Sequence, residues 1–90
     1  MKELKYTARV TGLGSGPVPD AFDTRAYNIV DLHIPSTEGP ARDIRTYIKG
    51  QPPAEGELVD VTVVESLGFI DQVKSIETKT GRYPVISHDI

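Results

Sequence analysis

Short runs of alternating apolar and polar residues, each ended by glycine or proline, limit what this chain can fold into more than any other feature. Val and Ile supply 17 of the 90 residues, and seven prolines and eight glycines interrupt them. β-Branched side chains lose rotamer freedom in helices but pack well on a pleated sheet. The pattern therefore predicts an all-β domain built from short strands joined by frequent turns.

Four segments show this alternation, and a fifth is interpreted as a strand on other grounds. In the first, Leu4, Tyr6, Ala8 and Val10 share one face, as strand geometry requires. The last segment is ambiguous, because its isoleucines and valine recur every third residue, which suits a helix or a bulged strand equally. Turn residues bracket that segment closely and favour a strand. The predicted strands are 3–11, 25–34, 42–49, 58–64 and 69–78.

Five strands conceal their edges best by closing on themselves, so the sequence predicts a small five-stranded barrel. A sandwich of similar size is the competing architecture. The barrel is expected to be one domain over residues 1–80, with a long glycine- and proline-rich loop after the first strand and a C-terminal tail at 81–90. A chain of this length has room for a single core.

Composition excludes several classes of function. The chain has no cysteine, which excludes disulfides and thiolate zinc sites, and its two histidines exclude most histidine-rich metal sites. The formal net charge is −3, which argues against coating duplex phosphate by bulk positive charge. No apolar run reaches the roughly 18–20 residues of a membrane span, and the N-terminus has no signal-peptide pattern. A cytoplasmic protein is therefore expected.

The polar face of the middle strands is the strongest candidate site. If the apolar residues point inward, cationic and aromatic residues of three neighbouring strands point outward together. Rings that stack on bases, and cations that follow phosphates, are what binding of single-stranded nucleic acid requires. The alternative is an ordinary solvated sheet face, where the same residues are common. The candidate residues are Arg9, Arg25, Tyr27, His33, Arg45, Tyr47 and Lys49.

The order of these elements resembles an oligonucleotide-binding (OB) fold. The resemblance lies in a first strand carrying Lys5-Tyr6-Thr7-Ala8-Arg9-Val10, a glycine-rich loop, a three-strand run and a closing strand pair, over residues 3–78. The short proline-containing connector at 50–56 makes it similar to the small single-stranded DNA-binding proteins of filamentous phages. The similarity implies that the sheet face and the loop after the first strand hold the nucleic acid. Such proteins are often dimers, so a homodimer is a further expectation.

Four other features offer weaker chemistry. Gly12-x-Gly14-x-Gly16 is followed by proline and no helix, so it predicts a flexible loop rather than a dinucleotide site. Asp31 and His33 lie two apart on one strand, and a metal site would need His88 and Asp89 to converge with them. Ser87-His88-Asp89 offers nucleophile, base and acid, but adjacent side chains diverge. Tyr83-Pro84-Val85-Ile86 could dock on a partner's strand edge.

The sequence thus predicts a non-catalytic, OB-like barrel that binds single-stranded DNA or RNA, with no cofactor and no metal. The alternative is a protein–protein adaptor or a structural subunit of a larger assembly, which would use its strand edges and its tail. An enzyme is not expected, because no oriented nucleophile or enclosed pocket is apparent in so thin a core.

Overall fold

A computed structural model describes residues 2–19, 21–35 and 39–89. Within these ranges the chain is all-β, and its strands form a closed barrel in the order β1-β2-β3-β6-β5-β4. Every neighbouring pair is antiparallel. The strands are β1 (Lys2–Gly16), β2 (Tyr27–Ile34), β3 (Arg42–Ile48), β4 (Leu58–Ser66), β5 (Phe69–Thr78) and β6 (Gly81–Asp89).

Two strands close the barrel because each pairs with different neighbours along its two halves. The first half of β1 pairs with β4 and the second with β2, and the register shifts between Val10 and Gly12. β6 likewise pairs first with β5 and then with β3, with a shift next to Ile48. Bulges of this kind bend a strand, which lets it pass from one sheet to the next.

The core lies inside the barrel and comes from the alternating apolar positions. Strands β1 to β5 contribute to it, and Tyr6 of β1 and Tyr83 and Val85 of β6 pack against its edge. Burying an aliphatic side chain of this size stabilises the fold by about 1.5–3 kcal/mol. The buried cluster consists of Ala8, Val10, Val30, Leu32, Ile34, Ile44, Ile48, Val59, Val61, Val63, Ile70, Val73 and Ile76.

The barrel has six strands rather than the expected five, because the segment predicted as a C-terminal tail forms β6. Tyr83 and Val85 point inward on this strand. Proline lacks the N–H that a strand ladder needs, so Pro84 is unusual inside a strand. Here it lies where β6 leaves β5 and turns to β3, a position at which a sheet tolerates proline.

The first strand is longer than predicted, and the fifth is bulged. β1 continues to Gly16, because its last residues pair in register with β2. β5 is confirmed as a strand, and its pairing with β4 shifts register twice. Each shift adds a residue, so the buried Ile70, Val73 and Ile76 are three apart while all pointing inward.

Candidate functional site

The predicted site residues share the outer face of the half-barrel formed by β1, β2 and β3. Val30 and Leu32 point into the core, so the alternate residues of β2 point outward. Arg9 lies opposite His33 on this face, and Arg45 lies opposite Asp31. Arg25 precedes β2 and Lys49 follows β3, so both lie at the far end of the same face. We call this surface the outer face.

Carboxylates already pair with several cations of the outer face. Arg45 donates from Nε to Asp31 Oδ1 at 2.9 Å and from Nη2 to Oδ2 at 3.2 Å. The hydrogen bond to Asp31 raises the pKa of Arg45. His33 Nδ1 lies 2.8 Å from Asp43 Oδ1. The outer face is therefore closer to charge-neutral than the list of its cations suggests.

Two cations of the outer face remain available. Arg9 and Lys49 are exposed, and neither forms an ion pair with any residue that the structure describes. Arg9 lies near one end of the outer face and Lys49 near the other. Between Tyr27 and His33 the face extends six residues along β2, which corresponds to about 20 Å at the usual rise of a strand.

The two tyrosines lie on the outer face, but their rings are covered. Tyr27 is 7% exposed and Tyr47 is 2% exposed, although neither belongs to the core cluster. Ile29 and Ser87 lie opposite Tyr47 on its two neighbouring strands, and its hydroxyl donates to Asp89 Oδ2 at 3.5 Å. The expectation of two open rings ready to stack on bases is therefore not met, because neighbouring side chains fill the space above them.

Tyr27 is covered by cations, which distinguishes it from Tyr47. Arg25 Cζ lies 6.0 Å from the centre of its ring, and Lys49 Nζ lies 5.9 Å from the same centre. A shallow pocket of about 210 Å³ lies beside this ring, and Arg25, Tyr27 and Lys49 all line it. Asn28 holds the pocket's edge by donating a hydrogen bond to the Gly50 carbonyl. We call Arg25, Tyr27 and Lys49 the Tyr27 cluster.

A row of glycines borders the outer face on β1, where the sequence had predicted only a loop. Gly12, Gly14 and Gly16 lie opposite Asp31, Ile29 and Tyr27, respectively. A Cβ at Gly12 would lie 3.2 Å from the Asp31 carboxylate, so a side chain there would crowd the ion pair to Arg45. The row leaves bare backbone beside Ile29 and Tyr27. Because the glycines occupy every second position, they lie on one side of a strand and leave that side without side chains.

The residues considered for metal binding and for catalysis do not come together. Asp31 is engaged by Arg45 and His33 by Asp43, whereas His88 has a buried Nδ1 atom with no hydrogen-bond partner. Within residues 2–19, 21–35 and 39–89, no group of three or more side chains could hold a metal ion. Ser87 and Asp89 pair with residues of β3, and their side chains lie on the opposite side of β6 from the side chain of His88.

A buried carboxylate inside the barrel was missed by the sequence analysis. Glu65 is 1% exposed and continues the inward row of Val61 and Val63 on β4. Tyr6 donates from its hydroxyl to Glu65 Oε1 at 2.9 Å, while Oε2 is buried with no hydrogen-bond partner in the described part of the chain. The alternation of inward and outward residues along β4 could have predicted this burial, because it places residue 65 inward.

The fold and the outer face define a class, a small closed antiparallel β-barrel consistent with an OB-like architecture. No protein-family model, no curated protein and no solved structure matches the chain, so the class rests on the fold alone. None of the described residues belongs to a helix long and apolar enough to cross a membrane.

Proposed function

We propose that the chain is a non-catalytic cytoplasmic protein that binds single-stranded DNA or RNA on the outer face. The observation that carries the proposal is the Tyr27 cluster, where two cations approach one aromatic ring beside a pocket. The closed barrel supports it, because small barrels of this class offer one sheet face and its loops to a strand. Homodimer formation remains part of the proposal.

The strand's phosphates would interact first with Lys49 and Arg9, since neither cation has a carboxylate partner among the described residues. Lys49 would then leave the Tyr27 ring for a phosphate and uncover the ring for a base. Stacking of one base on an aromatic ring contributes about 1–3 kcal/mol.

Two phosphate contacts predict a shallow dependence on salt. For a single strand, log K falls against log salt concentration with a slope of about −0.7 per phosphate contact, so two contacts give about −1.4. Such a slope agrees with an acidic chain whose other outer-face arginines are already paired. Stacking also predicts binding without strong sequence preference, because it tolerates every base.

A matched pair of lysines tests the proposal. Fluorescence polarisation of a labelled oligonucleotide is measured with Lys49→Ala and with Lys79→Ala, which removes an exposed lysine of the β5–β6 turn that likewise has no ion pair among the described residues. Lys49→Ala should weaken binding and flatten the salt slope by about 0.7, whereas Lys79→Ala should change neither. Equal effects of both variants, or no binding by the unaltered protein at low salt, would refute the proposal.

A second candidate function, a protein–protein adaptor, is favoured by the β4–β5 turn. Leu67 is 95% exposed and has a φ of 53°, a conformation that glycine or asparagine adopts more readily. Phe69 beside it is 65% exposed, with Arg42 Cζ 5.7 Å from its ring centre. Docking through a free C-terminal tail is not proposed again, because that segment forms β6. If oligonucleotide binding fails, Leu67→Asn should abolish partner binding and preserve the fold.

A further inference from the structure

Asp23 lies at the centre of a ready-made anion site in the segment before β2. Its carboxylate accepts a hydrogen bond from the Arg25 backbone N–H at 2.9 Å and from the Tyr27 hydroxyl at 2.5 Å. The Arg25 guanidinium donates from Nε to both carboxylate oxygens at 3.0 Å and from Nη2 to Oδ2 at 2.8 Å. Backbone, guanidinium and phenol thus converge on one negative group.

The same donors suit a phosphate. A guanidinium fork recognises two charged oxygens in one plane, which a carboxylate and a phosphodiester both present. Lys49 Nζ lies 5.9 Å from the centre of the same Tyr27 ring whose hydroxyl binds Asp23, so a second positive charge is near this site. The hydrogen bond from Arg25 lowers the pKa of Asp23 well below its usual range, which shows how strongly these donors favour an anion.

The backbone of the segment that carries Asp23 can move at small cost, so the main cost of displacing Asp23 is the loss of its bonds to Arg25 and Tyr27. Its carboxylate contacts only Arg25 and Tyr27 among the described residues, and its side chain is 33% exposed. Apart from those within the strands, no backbone–backbone hydrogen bond of the described chain involves residues 17–19 or 21–26. A segment without such bonds opens locally at little free-energy cost.

We propose that Asp23 holds, in the free protein, the place that a strand phosphate takes in the complex. The loop carboxylate then competes with nucleic acid for Arg25 and Tyr27, and its displacement exposes both the guanidinium and the ring. This inference rests on the proposed function, because it assigns one phosphate of the bound strand to a named site. It also makes Asp23 a residue that limits affinity, since every strand must first displace it.

The test uses Asp23→Asn with Asp43→Asn as its control. Asparagine keeps an oxygen for the Arg25 backbone N–H, so the turn is preserved while the charge is lost. Asp43 is exposed on the same outer face and bonds His33 rather than an arginine. Asp23→Asn should tighten oligonucleotide binding about twofold to fivefold, the size of one exposed ion pair, and leave the salt slope unchanged, because the same phosphate occupies the site in both complexes. Asp43→Asn should leave the affinity unchanged, and Arg25→Ala should cancel the gain of Asp23→Asn.

Inorganic phosphate supplies a readout that does not depend on strand binding. In ¹H–¹⁵N spectra, phosphate should shift the Arg25 amide of Asp23→Asn saturably and leave the unaltered protein unchanged. If Asp23→Asn takes no phosphate and matches Asp43→Asn in affinity, the inference is overturned. If the unaltered protein binds no oligonucleotide but Asp23→Asn takes phosphate at Arg25, the strand-binding function fails and the anion site stands.

Discussion

The hydrogen bond between Tyr6 and Glu65 inside the barrel offers a sharp test of how the fold is held together. Glu65 is 1% exposed, and one of its oxygens has Tyr6 as its partner while the other has none among the described residues. Tyr6→Phe removes the hydroxyl and leaves both carboxylate oxygens unpaired. Glu65→Leu removes the carboxylate and fills the same inward position with an apolar side chain.

The expected magnitudes follow from what each change leaves behind. A hydrogen bond to a charged group contributes about 1.5–3 kcal/mol, so Tyr6→Phe should lower the free energy of unfolding by roughly 2 kcal/mol. For a domain of this size, 1 kcal/mol corresponds to about 4–8 °C in melting temperature. Replacing both partners by apolar groups of similar shape is nearly neutral or stabilising. The double variant with Glu65→Leu should therefore lie within about 0.5 kcal/mol of the unaltered protein, or above it.

Urea denaturation followed by circular dichroism measures these differences, and an unchanged m-value shows that the transition itself is unaltered. The coupling between Tyr6 and Glu65 is the difference between the double variant and the sum of the single variants. Additive effects, or a Tyr6→Phe variant as stable as the parent, would refute the argument that this bond shields a buried carboxylate.

Three further predictions concern the barrel and the Asp23 site. A chain ending at Thr80 should not fold, because β6 pairs with both β3 and β5; loss of the β-sheet signal in circular dichroism checks this. Ile76→Ala should cost about 2–5 kcal/mol in urea unfolding, since Ile76 is fully buried in the core. Because the pKa of Asp23 is lowered, its charged carboxylate stabilises the folded state above the unfolded-state pKa. This stabilisation is lost as the pH falls through the folded-state pKa. The Arg25 amide resonance should therefore hold its position from pH 7 to about pH 4 and move only in stronger acid.

The alternation of residues was enough to predict an all-β barrel, because inward and outward positions in a strand differ by one residue. Most of the core follows from it, including Val30 and Leu32 on β2 and Val61 and Val63 on β4. The spacing of three along β5 suited a bulged strand, and two bulges indeed place Ile70, Val73 and Ile76 on one side.

Glycine and proline hid the parts that the sequence analysis missed. Gly12, Gly14 and Gly16 favour a loop by composition, and only their partners on β2 make them a strand. Pro84 ends a strand by its local chemistry, but β6 changes neighbours at that residue and needs no hydrogen bond there. Both errors concern long-range pairing, which local propensity does not report.

The outer face was predictable from register, but its accessibility was not. Alternation placed Tyr27 and Tyr47 outward, as the structure has them. Their covering depends on Asp89 at the end of β6, and on Arg25 and Lys49 outside the strands. The carboxylate partners of the arginines also depend on cross-strand positions that a single sequence does not specify.

Mapping of the bound strand by NMR tests the central claim most directly. A ¹⁵N-labelled protein is titrated with an unlabelled single-stranded oligonucleotide, and shifts of the backbone amides are followed. The account predicts saturable shifts at Arg9, Tyr27, Lys49 and their neighbours on β1, β2 and β3. Shifts confined to the β4–β5 turn around Leu67, or spectra that do not change, would contradict it.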